Sequence, residues 1–249
     1  MTRKTALITG ASTGIGAASA RLLAQNGYDI AIAYNSDLTG AQAVAKDVEA
    51  AGGKAILIQA DVAQPDQIDR MFAEFDAAFP RLDALVNNAG IVAPKTRVED
   101  MDAARLHTMF QVNVIGAFLV AGNAVRRMST EHGHSGGNIV NMSSAAARLA
   151  SANQYVDYAA SKGAIDVMTK GLAEEVAPHG IRVNAIRPGI IVTDIHAKGG
   201  EPDRVERLGP TAPMRRSGSA AEVAEAVLWL LSDASSYVTG SFIDVSGGR

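Results

Sequence analysis

Residues 5–16 read TALITGASTGIG, an apolar run that meets a glycine-rich stretch and then a helical pattern. TALIT (5–9) has the look of a buried strand, and a helix is expected from about Ile15 to Gln25. Between them, Gly10, Gly14 and Gly16 follow G-x-x-x-G-x-G rather than the G-x-G-x-x-G dinucleotide fingerprint. The physics is related. Glycines let the backbone turn tightly and approach an anion, and a helix N-terminus offers unpaired N–H groups and a positive dipole end. An ordinary glycine-rich turn is the alternative. Placement in the first strand-to-helix turn of an alternating chain favours a pyrophosphate cradle.

The alternation continues outward from that turn. Strand-like runs at 29–34 (DIAIAY), 54–60 (KAILIQA), 83–88 (DALVNN), 137–143 (GNIVNMS), 181–188 (IRVNAIRP) and 241–246 (SFIDVS) are separated by helical patterns. The helices fall at GAQAVAKDVEAA, PDQIDRMFAEFDAAF, roughly 102–128, 155–176 and AAEVAEAVLWLLS. Seven strands alternating with helices predict an α/β fold with a seven-stranded parallel sheet covered on both faces. No repeat, linker or low-complexity segment interrupts the chain, so one domain over 1–249 is expected. The least regular stretch is 194–216, whose three prolines and three glycines suit a mobile loop or a substrate lid.

Bulk composition narrows the function. Of 249 residues, 47% are hydrophobic and 20% charged, enough to bury a sizeable core, and the net charge is −3. No basic run points to nucleic acid or an anionic membrane. There is no cysteine, which removes disulfides, thiolate nucleophiles and cysteine metal sites together. No apolar run reaches the ~18 residues of a membrane helix, and the glycine loop cuts short the apolar part a signal peptide would need. A cytoplasmic protein is expected. His132 and His134 in EHGHSGG have H-x-H spacing, but without further ligands they read as a surface loop, and no metal is expected.

The stretch YVDYAASK (155–162) opens a helical pattern. Tyr158 and Lys162 form an i, i+4 pair, one above the other on one helix face. Tyr155 is seven residues from Lys162, about 10 Å along the axis at ~1.5 Å per residue. An ammonium beside Tyr158 favours the phenolate and is expected to lower its pKa, making Tyr158 a candidate proton donor or acceptor. A chance pair on a surface helix is the alternative.

TGASTGIG, NNAG at 87–90 and YAASK at 158–162, in that order, resemble the short-chain dehydrogenase/reductase family. The resemblance covers the whole chain, with DV at 61–62, RPG at 187–189 and YVTGSFIDVSGG near the end. It is similar in flavour to 3-oxoacyl-carrier-protein reductases and glucose 1-dehydrogenase-like members. It implies a Rossmann-type doubly wound domain that transfers a hydride between a nicotinamide cofactor and a carbonyl or secondary alcohol. A sugar dehydrogenase working oxidatively, or a non-catalytic dinucleotide-binding relative, is the competing reading.

The resemblance also implies roles. Tyr158 would be the acid in reduction and the base in oxidation. Lys162 would lower its pKa and hold the nicotinamide ribose. A serine would bind the substrate oxygen, and Ser143 and Ser144 are both on offer. Adjacent residues at a strand end point to opposite sides. Ser144 is expected to face the substrate, on a following loop one residue longer than the common pattern. Tyr155 would border the pocket or pack the helix. Asn113 in FQVNVIG matches the family's asparagine that holds a water linking the lysine to solvent; otherwise it caps an irregular helical turn.

For the cofactor, Gly10, Ser12, Thr13, Gly14, Ile15 and Gly16 would line the phosphates. Asp61 and Val62 would meet the adenine. Asn88, Ala89 and Gly90 would run under the ribose, with Asn87 bridging strands instead. Pro188, Gly189, Ile191 and Thr193 would hold the carboxamide side. Tyr34, Asn35 and Ser36 stand where an NAD-binding enzyme places a ribose-binding acid, and Asp37 comes three residues late. NADP is therefore favoured, with NAD possible. The family's pairing of helices across subunits implies a homotetramer with a small-molecule substrate and neither nucleic acid nor membrane as partner. Substrate choice would lie in 91–101, 145–157 and 194–216, where the motifs are silent.

Overall fold

In a computed structural model the described residues are 3–249; Met1 and Thr2, inside the expected domain, lie outside them. The apolar runs become β1 (Lys4–Thr9), β2 (Tyr28–Tyr34), β3 (Ala55–Gln59), β4 (Ala84–Asn87), β5 (Gly137–Met142), β6 (Ile181–Pro188) and, closing the chain, β9 (Phe242–Val245). They form one sheet in the order β3-β2-β1-β4-β5-β6-β9. Every pairing is parallel. The order reverses beside β1, where Ile8 pairs with Ile32 on one side and Val86 on the other. That reversal opens a crevice beyond the strand ends.

The strands are apolar at successive residues because helices cover both faces. Ala6, Ile8, Ile30, Ile32, Ala84 and Val86 pack in one layer with α1 (Gly14–Gln25), α2 (Leu38–Ala50) and α10 (Ala220–Leu231). Leu7, Ala31, Leu85, Ile139 and Val183 pack in the other with α3 (Pro65–Ala78), α5 (Ala117–Met128) and α7 (Val156–Val176). Each fully buried Leu or Ile contributes about 1.5–3 kcal/mol over leaving it in water. Helix α10 starts on a capping box in which Ser219 and Glu222 satisfy each other's backbone N–H groups.

Three stretches differ from expectation. The helix expected over 102–128 is α4 (Ala103–Phe110), a π-helical turn (Gln111–Gly116) and α5. Asn113 turns inward to the loop after β4, and Gly116 packs so closely on Val62 that a Cβ there would collide with its carbonyl oxygen. Taken as one stretch, Ala103–Met128 is long and apolar enough to cross a membrane by length and composition, with mean hydropathy 1.4. The absence of a long uninterrupted apolar run did not reveal this. Here Val120, Ala124 and Met128 lie in the core. The loop after β5 contains the short helix α6 (Ala146–Leu149), ended by Ala150 at φ 59°. The irregular segment folds as α8 (Ile195–Lys198), α9 (Arg204–Leu208) and a 3-10 turn. It is bracketed by an unexpected pair of two-residue strands, β7 (Ile191–Val192) and β8 (Gly218–Ser219).

Candidate active site

A cavity of about 750 Å³ opens beyond the strand ends, and nearly every residue singled out from the sequence borders it. Along its floor run Gly10, Ser12, Thr13, Gly14 and Ile15 from the first turn. Gly10 and Gly14 adopt φ of 63° and 57°, conformations that glycine takes without steric cost. Gly16 does not border the cavity. It is buried against the loop, where a Cβ would collide with the Gly10 carbonyl. Thr13 occupies the N-cap of α1 without capping it by its side chain. The first-turn N–H groups therefore have no side-chain acceptor from the cap, which fits a phosphate ligand.

The loops around this floor are tied together. Thr9 Oγ1 accepts from the backbone N–H groups of Asn88 and Ala89, each at 3.0 Å. Asn88 Nδ2 donates to Thr9 O at 2.8 Å and Gly10 O at 3.1 Å. Asn87 bridges strands as expected, donating to Asn141 Oδ1 at 3.2 Å and to Ala117 O at 2.9 Å. Asn88, Ala89, Gly90, Asp61, Val62, Pro188, Gly189, Ile191 and Thr193 border the cavity.

At the end of β2 the expectation needs correcting. Tyr34 is buried in the core with Ala41 and Val44 and does not border the cavity, because α2 packs over it. Asn35, Ser36 and Asp37 do border it. The Asp37 carboxylate caps α2, accepting from Gly40 N at 2.9 Å.

Tyr158, Lys162, Ser143 and Ser144 meet where β5 and α7 approach. Lys162 is buried, and its Nζ donates to Met142 O at 2.8 Å and lies 5.7 Å from the Tyr158 ring centre. Burial pulls the Lys162 pKa down to about 8, against the raising effect of Asp166. The expected lowering of the Tyr158 pKa by Lys162 is not what this arrangement gives. Burial pushes the phenol up, and the opposing pull comes from the Ser144 hydroxyl and the Arg204 charge.

The two serines have different surroundings. Ser143 donates to Asp166 Oδ1 at 2.6 Å, with Lys162 O also in reach at 3.2 Å. Asp166 in turn accepts from Arg187 Nη2 at 2.8 Å. Ser144 accepts from Ala146 N at 3.1 Å and stands beside the Tyr158 phenol.

Asn113 lies behind the cavity, 1% exposed. Its Oδ1 accepts from Ile91 N at 2.8 Å, while Nδ2 donates to Ile91 O at 2.9 Å and Ser161 Oγ at 3.1 Å. It pins the loop after β4 to α7 and holds Gly90 near Lys162, whose Nζ is 3.4 Å from where a Gly90 Cβ would be. Tyr155 sits at the N-cap of α7, donating to the Glu201 carboxylate and stacked 5.0 Å from the Arg204 guanidinium. Burial and that hydrogen bond push its pKa to about 12.

The three segments in which no motif stood out all border the cavity, through Ile91 and Val92, through Leu149 and Gln154, and through Ile195, His196, Arg204 and Leu208. Sequence reasoning missed Glu201 and Arg204, whose partners Tyr155 and Gln154 are 46 and 50 positions away. His132 and His134 are exposed, and among the described residues no cluster could hold a metal ion.

Residues 10–249 match the family model described as Enoyl-(Acyl carrier protein) reductase. The chain is 54% identical to the Escherichia coli protein named Uncharacterized oxidoreductase YgfF, over 98% of this chain and 99% of that one. It superposes on a Burkholderia cenocepacia short chain dehydrogenase in complex with NADP with a TM-score of 0.90. Identity there is 34%, covering 98% of this chain and 97% of that one. The 3-ketoacyl-(acyl-carrier-protein) reductase of Brucella melitensis, complexed with NADH, also gives a TM-score of 0.90, at 31% identity over 99% and 98% of the two chains. With its parallel sheet, its glycine loop and its Tyr158–Lys162 pair, the chain belongs to the short-chain dehydrogenase/reductase family of oxidoreductases, which act on carbonyl and CH–OH groups.

Proposed function

We propose that the protein interconverts a small carbonyl compound and its secondary alcohol, with Tyr158 as the proton-transfer group and NADP(H) as the preferred cofactor, NAD(H) being accepted too. The observation that carries this reading is the pairing of Ser144 with Tyr158 on the cavity, while Ser143 is engaged by Asp166. When bound, a nicotinamide supplies or accepts the hydride. The chain supplies the rest. Ser144 holds the substrate oxygen, and Tyr158 gives it a proton in reduction or takes one in oxidation. Lys162 keeps a positive charge beside the cofactor ribose, and Asn113 holds the Ile91 loop against α7 and orders a water behind the lysine. Gly10, Gly14 and the N-terminus of α1 cradle the pyrophosphate. Asn35 and Ser36 meet the ribose 2′ position, and the Asp37 carboxylate that also borders the cavity is turned to the Gly40 N–H as the cap of α2. The Burkholderia neighbour's NADP and the Brucella neighbour's NADH make both cofactors reasonable.

The segment 194–216 acts as the substrate lid. The protein works in the cytoplasm as a homotetramer, consistent with the exposed apolar side chains Ile115, Phe118 and Leu119 and, on the neighbouring α7, Val167. A panel of ketones and aldehydes followed at 340 nm with both cofactors tests the reading. Wild type turns over at least one class and binds NADPH at least as tightly as NADH. Tyr158→Phe abolishes turnover but still binds the cofactor, and Tyr155→Phe keeps most activity. A dead Tyr155→Phe beside a working Tyr158→Phe refutes the assignment.

A further inference from the structure

We propose that Arg204 anchors a carboxylate carried by the substrate at the far end from the reacting carbonyl, so that the protein selects oxo acids and hydroxy acids. The proposal rests on the carbonyl-reductase reading above. Arg204 borders the cavity on α9, with its side chain 13% exposed.

One side of the guanidinium is held by the protein. Nη1 donates to Glu201 Oε2 at 2.6 Å and to Gln154 Oε1 at 3.0 Å, and the ring of Tyr155 lies against its face. The opposite edge, Nε and Nη2, has no acceptor among the described residues. Ser19 Oγ is the one fully buried side-chain nitrogen or oxygen among them that lacks a hydrogen-bond partner. Nε and Nη2 are therefore not sealed in, on a residue that borders the cavity. Two parallel N–H groups on one planar edge match a carboxylate in bidentate geometry.

Charge favours the same ligand. Glu201 is 7% exposed and is shared by Lys95, Arg204 and Arg207, one carboxylate among three cations. Burial raises the Glu201 pKa, but hydrogen bonds from Lys95, Tyr155 and Arg204 outweigh it and hold the group at about 2, so it is ionised throughout the working range. Arg207 is also paired with Asp203, so three cations face two carboxylates and one positive charge remains in excess. Arg204 and the proton-transfer group Tyr158 border the same cavity, and the guanidinium charge pulls against the burial that raises the phenol's pKa. Leu149, Ile195 and Leu208 border that cavity and suit the apolar link between carboxylate and carbonyl. The guanidinium is already oriented by Glu201, Gln154 and Tyr155, so little ordering cost falls on binding.

The test uses aliphatic and aryl oxo acids with graded spacing between the two groups, each beside its methyl ester, with the holoenzyme. Wild type should favour acids in kcat/KM by at least ten-fold at the best spacing. Arg204→Met should cut the acid-to-ester ratio ten- to a hundred-fold, mainly through KM. Glu201 keeps Lys95, Arg207 and Tyr155 in that variant, so the segment retains its ties. Arg207→Met removes a cation from the same carboxylate without touching the cavity and should leave the ratio in place. Equal use of acids and esters by wild type overturns the proposal, as does an equal fall for both in Arg204→Met or an equal change in Arg207→Met. Calorimetric titration of the same oxo acids into the cofactor-loaded protein separates anchor from chemistry. Acid binding lost in Arg204→Met upholds the anchor even where nothing is turned over, which would instead sink the reductase reading. Acid binding undiminished in that variant overturns the anchor.

Discussion

Ser143 and Ser144 leave β5 on opposite sides, so their substitution has different consequences. Ser143 faces the Asp166–Arg187 pair, and Ser144 faces the Tyr158 phenol. Loss of one hydrogen bond to a developing oxyanion typically costs ~10²-fold or more in rate. Ser144→Ala should therefore lower kcat/KM at least that far, and Ser143→Ala much less, the latter showing mainly as reduced stability. Steady-state kinetics of the two variants decide it, and the reverse order hands the role to Ser143. Lys162 supplies a second residue-scale expectation. Its pKa is about 8 in the folded chain against 10.5 for an ordinary lysine, lowered by burial. Below pH 8 both states are protonated, and the fold bears the full cost of the buried ammonium. Between 8 and 10.5 the folded chain has lost the proton that the unfolded chain keeps, so stability gains with rising pH. At roughly 1.4 kcal/mol per unit the effect is a few kcal/mol. Lys162→Met should be inactive yet more stable than wild type at pH 7, and the gap should close between pH 8 and 10.5. Urea midpoints across that range measure it, and parallel profiles would mean that burial of this charge costs nothing.

At the scale of elements, much was legible because it is local. A strand buried on both faces must be apolar at successive residues, and a helix shows its period, so the seven sheet strands and their crossovers follow from the pattern within one or two residues at each end. Tyr158 and Lys162 were readable as a pair because one helix places them four apart. The break in the helix over 102–128 was not, since the π-helical turn at Gln111–Gly116 depends on a loop some twenty residues earlier in the chain. The side chain of Asn113 satisfies both backbone groups of Ile91, and nothing in FQVNVIG says where that loop lies. Asn113→Ala leaves the Ile91 N–H and C=O without those partners, at about 1–3 kcal/mol for each group left unsatisfied. The variant should melt several degrees lower and lose activity through the loosened Gly90–Ile91 loop. Thermal unfolding and kcat measured together test this; full activity at a lowered melting temperature would reduce Asn113 to a structural residue. The same distance problem hid Glu201 and Arg204, which meet residues of the α7 N-terminus only in the folded chain.

For the molecule as a whole, apolar surface remains that the sheet does not use. Helix α5 sends Val120, Ala124 and Met128 into the core but leaves Phe118 half exposed, with Ile115 and Leu119 beside it in sequence, and Val167 on α7 is 75% exposed. Large apolar side chains grouped on neighbouring elements mark a surface that a partner covers. The same stretch passes a length-and-composition test for crossing a membrane, but one of its faces is already taken by the sheet, which leaves a strip rather than a full cylinder for any other contact. A second copy of the chain is the economical occupant, because two strips related by a two-fold axis bury the same residues against each other. Phe118→Asp places a charge within that strip and should shift the mass measured by light scattering from that of the proposed tetramer to a smaller species, with little change in the far-ultraviolet dichroism of the fold. Activity should fall only so far as α7, which carries Tyr158 and Lys162 as well as Val167, loses the support of its neighbour. An unchanged mass for Phe118→Asp would show that the subunits meet elsewhere, with the exposed Trp229 and Tyr237 region the next surface to probe.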